Sequence, residues 1–90
     1  MLERREVHFT GHVQGVGFRY QTLQIARGYD VIGTVKNLAD GRVQLIVQGS
    51  PEELDAFLAE IESALDGFIR STDSKQLEPL GDLKTFSILP

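Results

Sequence analysis

Ninety residues are enough for one domain with one core, expected over 1–90 and near the lower end of comfortable stability. Apolar residues at 41% and charged residues at 24% exclude a disordered chain, and thirteen acidic against nine basic residues (net −4) argue against a broad nucleic-acid surface, so any anion must be held locally. With no cysteine there is no disulfide frame, no thiolate nucleophile and no cysteine-ligated metal, and the lack of an apolar run of about 20 residues excludes a membrane-spanning helix.

Taken in chain order, Glu6 to Thr10 alternates polar and apolar residues as a half-buried strand does. Gly11-His12-Val13-Gln14-Gly15-Val16-Gly17-Phe18-Arg19 follows, three glycines in seven residues ending in an arginine. Such a loop lets backbone N–H groups turn inward together, and a helix starting at its end aims free N–H groups and a positive dipole at the same spot. Arg19 in the first turn adds a planar fork of donors suited to two phosphate oxygens. The spacing fits neither the dinucleotide fingerprint nor the P-loop. On its own the stretch fits equally a flexible turn whose arginine makes a surface ion pair.

From Phe18 to about Ala26 the pattern is helical, with Phe18, Thr22, Leu23, Ile25 and Ala26 forming an inward stripe and Gly28 a stop. Tyr29 to Asn37 reads as a second strand, Leu38 to Gly41 as a turn and Arg42 to Gln48 as a third strand, so the last two make a hairpin. A second helix begins with Ser50 as cap, Pro51 at its first position and Glu53 placed to return a hydrogen bond to Ser50. Its core face is Leu54, Phe57, Leu58, Ile61 and Leu65. Phe68-Ile69 opens a less regular fourth strand, Ser71 to Gln76 is polar enough for a loop or an exposed edge strand, and Thr85 to Leu89 makes a short last one.

This order predicts an α+β fold, a ferredoxin-like β-α-β-β-α-β sandwich with two helices on one face of an antiparallel sheet and an added C-terminal strand. In a split β-α-β unit the first two strands run parallel with the third between them. The glycine loop and Asn37 then meet at one edge. Alone, Asn37 fits a turn residue that tolerates left-handed geometry.

The loop together with Gly33-Thr34-Val35-Lys36-Asn37-Leu38-Ala39-Asp40-Gly41-Arg42-Val43 closely resembles the acylphosphatase family. That family carries a G-x-V-Q-G-V-x-F-R loop, met at every fixed position by Gly11 to Arg19, and a later segment met by Gly33, Asn37, Gly41 and Val43. Thr34 stands where the family usually has an aromatic residue, and Leu38 where many members carry a small polar one. The resemblance is firm to Gly49 and holds in outline beyond. It implies hydrolysis of acyl phosphates, with the loop arginine binding phosphate, the asparagine placing a water, and neither metal nor covalent intermediate.

The chemistry of the residues agrees with that implication. A mixed carboxylic–phosphoric anhydride leaves as a carboxylate whose acid has a pKa of about 4, so its departure needs no proton. Positioning and charge remain. Arg19 and the N–H groups of Gln14, Gly15, Val16, Gly17, Phe18 and Arg19 are expected to hold the phosphoryl oxygens, and the amide of Asn37 to orient water for in-line attack. The expected partners are a small acyl phosphate and inorganic phosphate as product and inhibitor, with no nucleic acid and no membrane. A cytoplasmic monomer without a cofactor is expected. His8 and His12 lack matched further ligands, so no metal is expected.

Three other readings share parts of the pattern. An RNA-binding module shares the element order, but it stacks bases on aromatics in its central strands, and Arg42 to Gln48 holds none. A regulatory phosphate sensor would keep the grip without turnover. A segment related to hydrogenase-maturation proteins that handle carbamoyl phosphate would be joined to zinc-finger regions, with which this chain does not continue.

Overall fold

A computed structural model describes residues Met1–Pro90. The period-two pattern of the first strand places Val7 and Phe9 in the core as β1 (Glu3–Gly11), and the hairpin does the same with Val31 and Val35 of β2 (Val31–Asn37) and Val43, Leu45 and Val47 of β3 (Val43–Gly49). Against this face lie α1 (Phe18–Ala26) and α2 (Pro51–Ala64), and the chain closes with β4 (Ile69–Leu77) and β5 (Phe86–Ile88). The sheet order is β4-β1-β3-β2-β5. Its first four strands pair antiparallel as the ferredoxin-like reading expects, and β5 joins β2 in parallel, making the five-stranded sheet mixed.

The helices differ in how they are started. Ser50 caps α2 by accepting from the Glu53 amide at 3.2 Å, a contact of about 1 kcal/mol, and Pro51 follows it. Glu53 does not return the bond to Ser50, a correction to the expected reciprocal cap. Its Oε1 instead accepts from the Asp30 amide at 2.7 Å, tying the start of α2 to the entry of β2. Leu54, Phe57, Ile61 and the following Leu65 are buried, while Leu58 packs at the margin. In α1, Phe18, Thr22 and Ala26 are buried, with Leu23 and Ile25 half-buried. α1 ends through short i→i+3 bonds, Arg27 to Gln24 and Gly28 to Ile25, so Gly28 stops it without a left-handed turn.

The polar stretch Ser71–Gln76 forms the exposed middle of β4, an edge strand paired with β1 alone. Because β4 and β5 lie at opposite edges, the segment between them must cross the sheet. Gln48 on β3 receives it: its Nε2 donates to the Leu80 carbonyl and its Oε1 accepts from the Leu80 amide, both at 2.8 Å. Gln48 is thereby buried although it lies on the face opposite the helices. No helix is long and apolar enough to cross a membrane.

Candidate active site

β1 and β2 each run antiparallel to β3, so they run parallel to each other and their C-terminal ends share one edge. Both Phe9 and Asn37 pair with Val43, placing them in one row on either side of β3. At two strand spacings, their backbones are about 10 Å apart. The loop that leaves β1 after Gly11, two residues beyond Phe9, therefore rises beside Asn37.

This loop is pinned at several points. Val13 is buried, and the rings of Phe9 in β1 and Phe18 at the start of α1 meet at a tilt of 51° with their centroids 5.1 Å apart. Between the pins Gly15 and Gly17 both take φ +78°, and a Cβ built on either would touch nothing within 4 Å. The left-handed backbone, and no crowding, is what calls for glycine, at about 1–2 kcal/mol for any other residue.

Gly17 is also the N-cap of α1, and no side chain caps this helix. The first backbone bond belongs to Gln21, whose amide donates to the Gly17 carbonyl at 3.0 Å. The amide hydrogens of Gly15 through Tyr20 reach no carbonyl. Unpartnered donors at a positive helix end are the arrangement that favours an anion.

Gly15, Gly17, Arg19 and Asn37 line one cavity of about 190 Å³, closed by Val13, Phe18, Tyr20 and Ile88. Arg19 is the only charged side chain on its wall. One guanidinium nitrogen, Nη1, donates to the Leu89 carbonyl at 3.3 Å, and the Leu89 amide is held by the Val35 carbonyl at 2.9 Å. The side chain of Asn37 has no protein partner. Of the residues expected to hold phosphate, the wall brings together Gly15, Gly17, Phe18 and Arg19 and leaves out Gln14 and Val16. Thr34 and Leu38 also lie off the wall, Thr34 paired between Ile46 and Ser87 in the sheet.

Gln14 turns its side chain elsewhere. Its Nε2 donates to the Leu38 carbonyl at 2.8 Å and the Arg42 carbonyl at 3.0 Å, bridging the glycine loop to the hairpin turn beside Asn37. The turn is closed by the Leu38 amide donating to the Arg42 carbonyl at 2.8 Å. Asp40 adds to it by accepting from the Arg42 amide and Nε, and the backbone bond from Arg42 chiefly holds its carboxyl below the ordinary aspartate value. Neither the Gln14 bridge nor the presence of Ile88 and Leu89 at the site has a signal in the sequence.

A ferredoxin-like α+β fold with an uncapped helix, a glycine turn and one arginine around a small cavity defines a phosphate-handling domain. The acylphosphatase family model matches residues 5–88. An acylphosphatase of Clostridium acetobutylicum is 38% identical over 99% of both chains, and one of Synechococcus is 39% identical over 100% of this chain and 98% of its own. Among solved structures, the acylphosphatase of Bacillus subtilis superposes with a TM-score of 0.87 at 28% identity, covering 100% of both chains. Full-length HypF in a phosphate- and nucleotide-bound form matches at 0.86 and 27% identity, with 100% of this chain on 12% of that one. The chain belongs to the acylphosphatase family, hydrolases that split an acyl phosphate into a carboxylate and inorganic phosphate.

Proposed function

We propose that the cavity between the glycine loop and the end of β2 is where this protein hydrolyses acyl phosphates, with roles divided between its two sides. The phosphoryl group is held by the amides from Gly15 to Arg19 and by the guanidinium of Arg19. Held on a short loop and the first turn of a helix, these donors stabilise charge moving onto the phosphoryl oxygens with little reorganisation. Asn37, whose amide is free, accepts from and donates to a water and sets it in line with the bond to the departing carboxylate. The carboxylate leaves without a proton, so neither an acid nor a covalent nucleophile is called for. Gln14, placed outside the wall, braces the loop against the hairpin and contributes no side-chain contact to the phosphate.

The observation that carries this reading is the uncapped start of α1, where amides without backbone partners belong to Gly15, Gly17, Phe18, Arg19 and Tyr20, residues that line the same cavity as Asn37. We further place the protein in the cytoplasm as a monomeric domain over 1–90, acting on free acyl phosphates and not on nucleic acid; its single cationic side chain at the site and its net charge of −4 support the last of these points. Phosphate release from benzoyl or acetyl phosphate tests the reading. The expected result is release well above the spontaneous rate, with inorganic phosphate inhibiting competitively. Release at the spontaneous rate for both substrates overturns it.

A further inference from the structure

In a chain whose net charge is −4, one groove gathers two cations and no acid. It is the largest cavity of the molecule, about 480 Å³, and lies between the end of α1, the start of β2 and the segment that leads into β5. It shares no lining residue with the glycine-loop cavity. Leu23, Ile32 and Phe86 line it as half-buried apolar side chains, and Phe86 is held by an edge-on contact with Phe57, their centroids 5.9 Å apart. Arg27 and Lys84 are exposed on its walls. No other cavity carries two lysine or arginine side chains.

We propose that this groove is a second binding site, for a small apolar carboxylate. The proposal does not depend on the reading of the glycine-loop cavity. Leu23 and Arg27 stand one turn apart on one face of α1, which sets an apolar contact beside a guanidinium. Neither Arg27 nor Lys84 forms an ion pair. Arg27 donates from Nη1 to the neutral Oε1 of Gln24 at 3.2 Å, which leaves its other nitrogens for the two oxygens of a carboxylate. The negative end of a helix would oppose an anion, but its last carbonyls are already engaged: those of Gln24, Ile25 and Ala26 accept from the amides of Arg27, Gly28 and Tyr29. Opposite, the Thr85 carbonyl accepts from the Gly33 amide at 3.0 Å, extending the pairing with β2 one residue ahead of β5 and fixing the chain beside Lys84. The volume falls within the roughly 300–1,000 Å³ of small-molecule sites. An uncharged apolar molecule would leave the cations unused, and inorganic phosphate would leave the apolar lining unused. A carboxylate with an apolar body uses both.

The test follows the amide signals of the isotope-labelled whole protein by NMR as octanoate is added, with acetate and octanol as controls, each with and without inorganic phosphate. Octanoate is expected to give saturable shifts centred on Leu23, Arg27, Ile32 and Phe86, unaltered by phosphate. Acetate, without the apolar body, and octanol, without the charge, should each bind about tenfold more weakly or worse. Replacing both cations, Arg27→Gln with Lys84→Gln, should weaken octanoate about tenfold and leave octanol unchanged. Both side chains are exposed, and the remaining amide signals report directly that the fold is kept. The proposal is overturned if octanoate moves no signal in the groove, if octanol binds as tightly, or if the double variant binds octanoate unchanged. Shifts confined to Gly15–Tyr20 and abolished by phosphate would assign octanoate to the glycine-loop cavity and equally overturn it. None of these outcomes bears on acyl phosphate hydrolysis, whose failure would show only in phosphate release.

Discussion

Replacing Gln14 by alanine removes the one side-chain link between the phosphate loop and the hairpin that carries Asn37. Two hydrogen bonds disappear, at 2.8 and 3.0 Å. At about 1 kcal/mol each they set an upper figure of about 2 kcal/mol. The acceptors are not orphaned, since the Leu38 carbonyl keeps the Gly41 amide at 3.2 Å and the Arg42 carbonyl keeps the Leu38 amide at 2.8 Å. The full desolvation penalty of a stranded carbonyl is therefore avoided, and the expected loss is about 1–2 kcal/mol in urea unfolding. Activity is expected to suffer more than this suggests, because the link fixes the distance between phosphate and water. A displacement of about 1 Å costs up to about a hundredfold, so a fall in kcat of about tenfold or more is expected. Gln14→Glu should be worse than alanine, as a carboxylate would face two carbonyls with no proton to offer. The measurements are urea denaturation followed by circular dichroism, and steady-state hydrolysis of benzoyl phosphate. A Gln14→Ala protein with unchanged kcat and unchanged stability would refute the bracing role.

Arg19→Ala is expected to lower kcat/KM by about a thousandfold and to abolish phosphate inhibition, and lysine should not rescue it because the two-pronged geometry is lost; near-normal hydrolysis by Arg19→Lys would remove the bidentate contact from the mechanism. Asn37→Ala should cut kcat by about a hundredfold while the inhibition constant for phosphate holds, as befits a group that meets the water. A parallel loss of phosphate affinity would make Asn37 a binding residue. Gly33→Ala should destabilise the protein by about 3 kcal/mol or more, because a Cβ at φ +153° would lie 1.9 Å from the Ile46 carbonyl oxygen in the neighbouring strand; thermal unfolding within a degree of the unmodified protein would contradict that packing.

Much of this architecture is legible in local patterns. Alternation in Glu6–Thr10 and Arg42–Gln48 marks strands, the Ser50-Pro51 pair marks the start of α2, and turn chemistry at Leu38–Gly41 marks the hairpin. These signals suffice to bring Asn37 to the glycine loop, because a hairpin and a right-handed crossover leave few alternatives. Contacts made across the sheet are not legible in the same way. Gln48 alternates like any solvent-facing residue, and only the crossing from β4 to β5 buries it. Glu53 has the spacing of a reciprocal cap, yet the Asp30 amide, brought alongside by the tertiary fold, takes its carboxylate. Gln14 sits in a stretch where backbone amides attract attention, and nothing in its own chemistry says that its side chain reaches two carbonyls of a distant turn. The same holds for Leu89, which meets Arg19 through its backbone, an interaction that any residue type could make.

The two helix starts show how the chain distributes its stability. At α2 a serine, a proline and a first turn with Glu52 and Glu53 satisfy the end of the helix and complement its dipole. At α1 no acidic residue stands in the first turn, the cap is a glycine, and the amides are left without partners. On the proposed reading, a capping side chain here would occupy the donors that a phosphoryl group needs, and an acidic first turn would repel it. What holds these donors in place is instead the burial of Val13 and Phe18 on either side and the ring contact with Phe9. The orientation of the site is thus supplied when the core forms, before any substrate arrives. In the proposed mechanism, a reaction whose leaving group already departs as a stable anion asks for little beyond that orientation and the charge of Arg19.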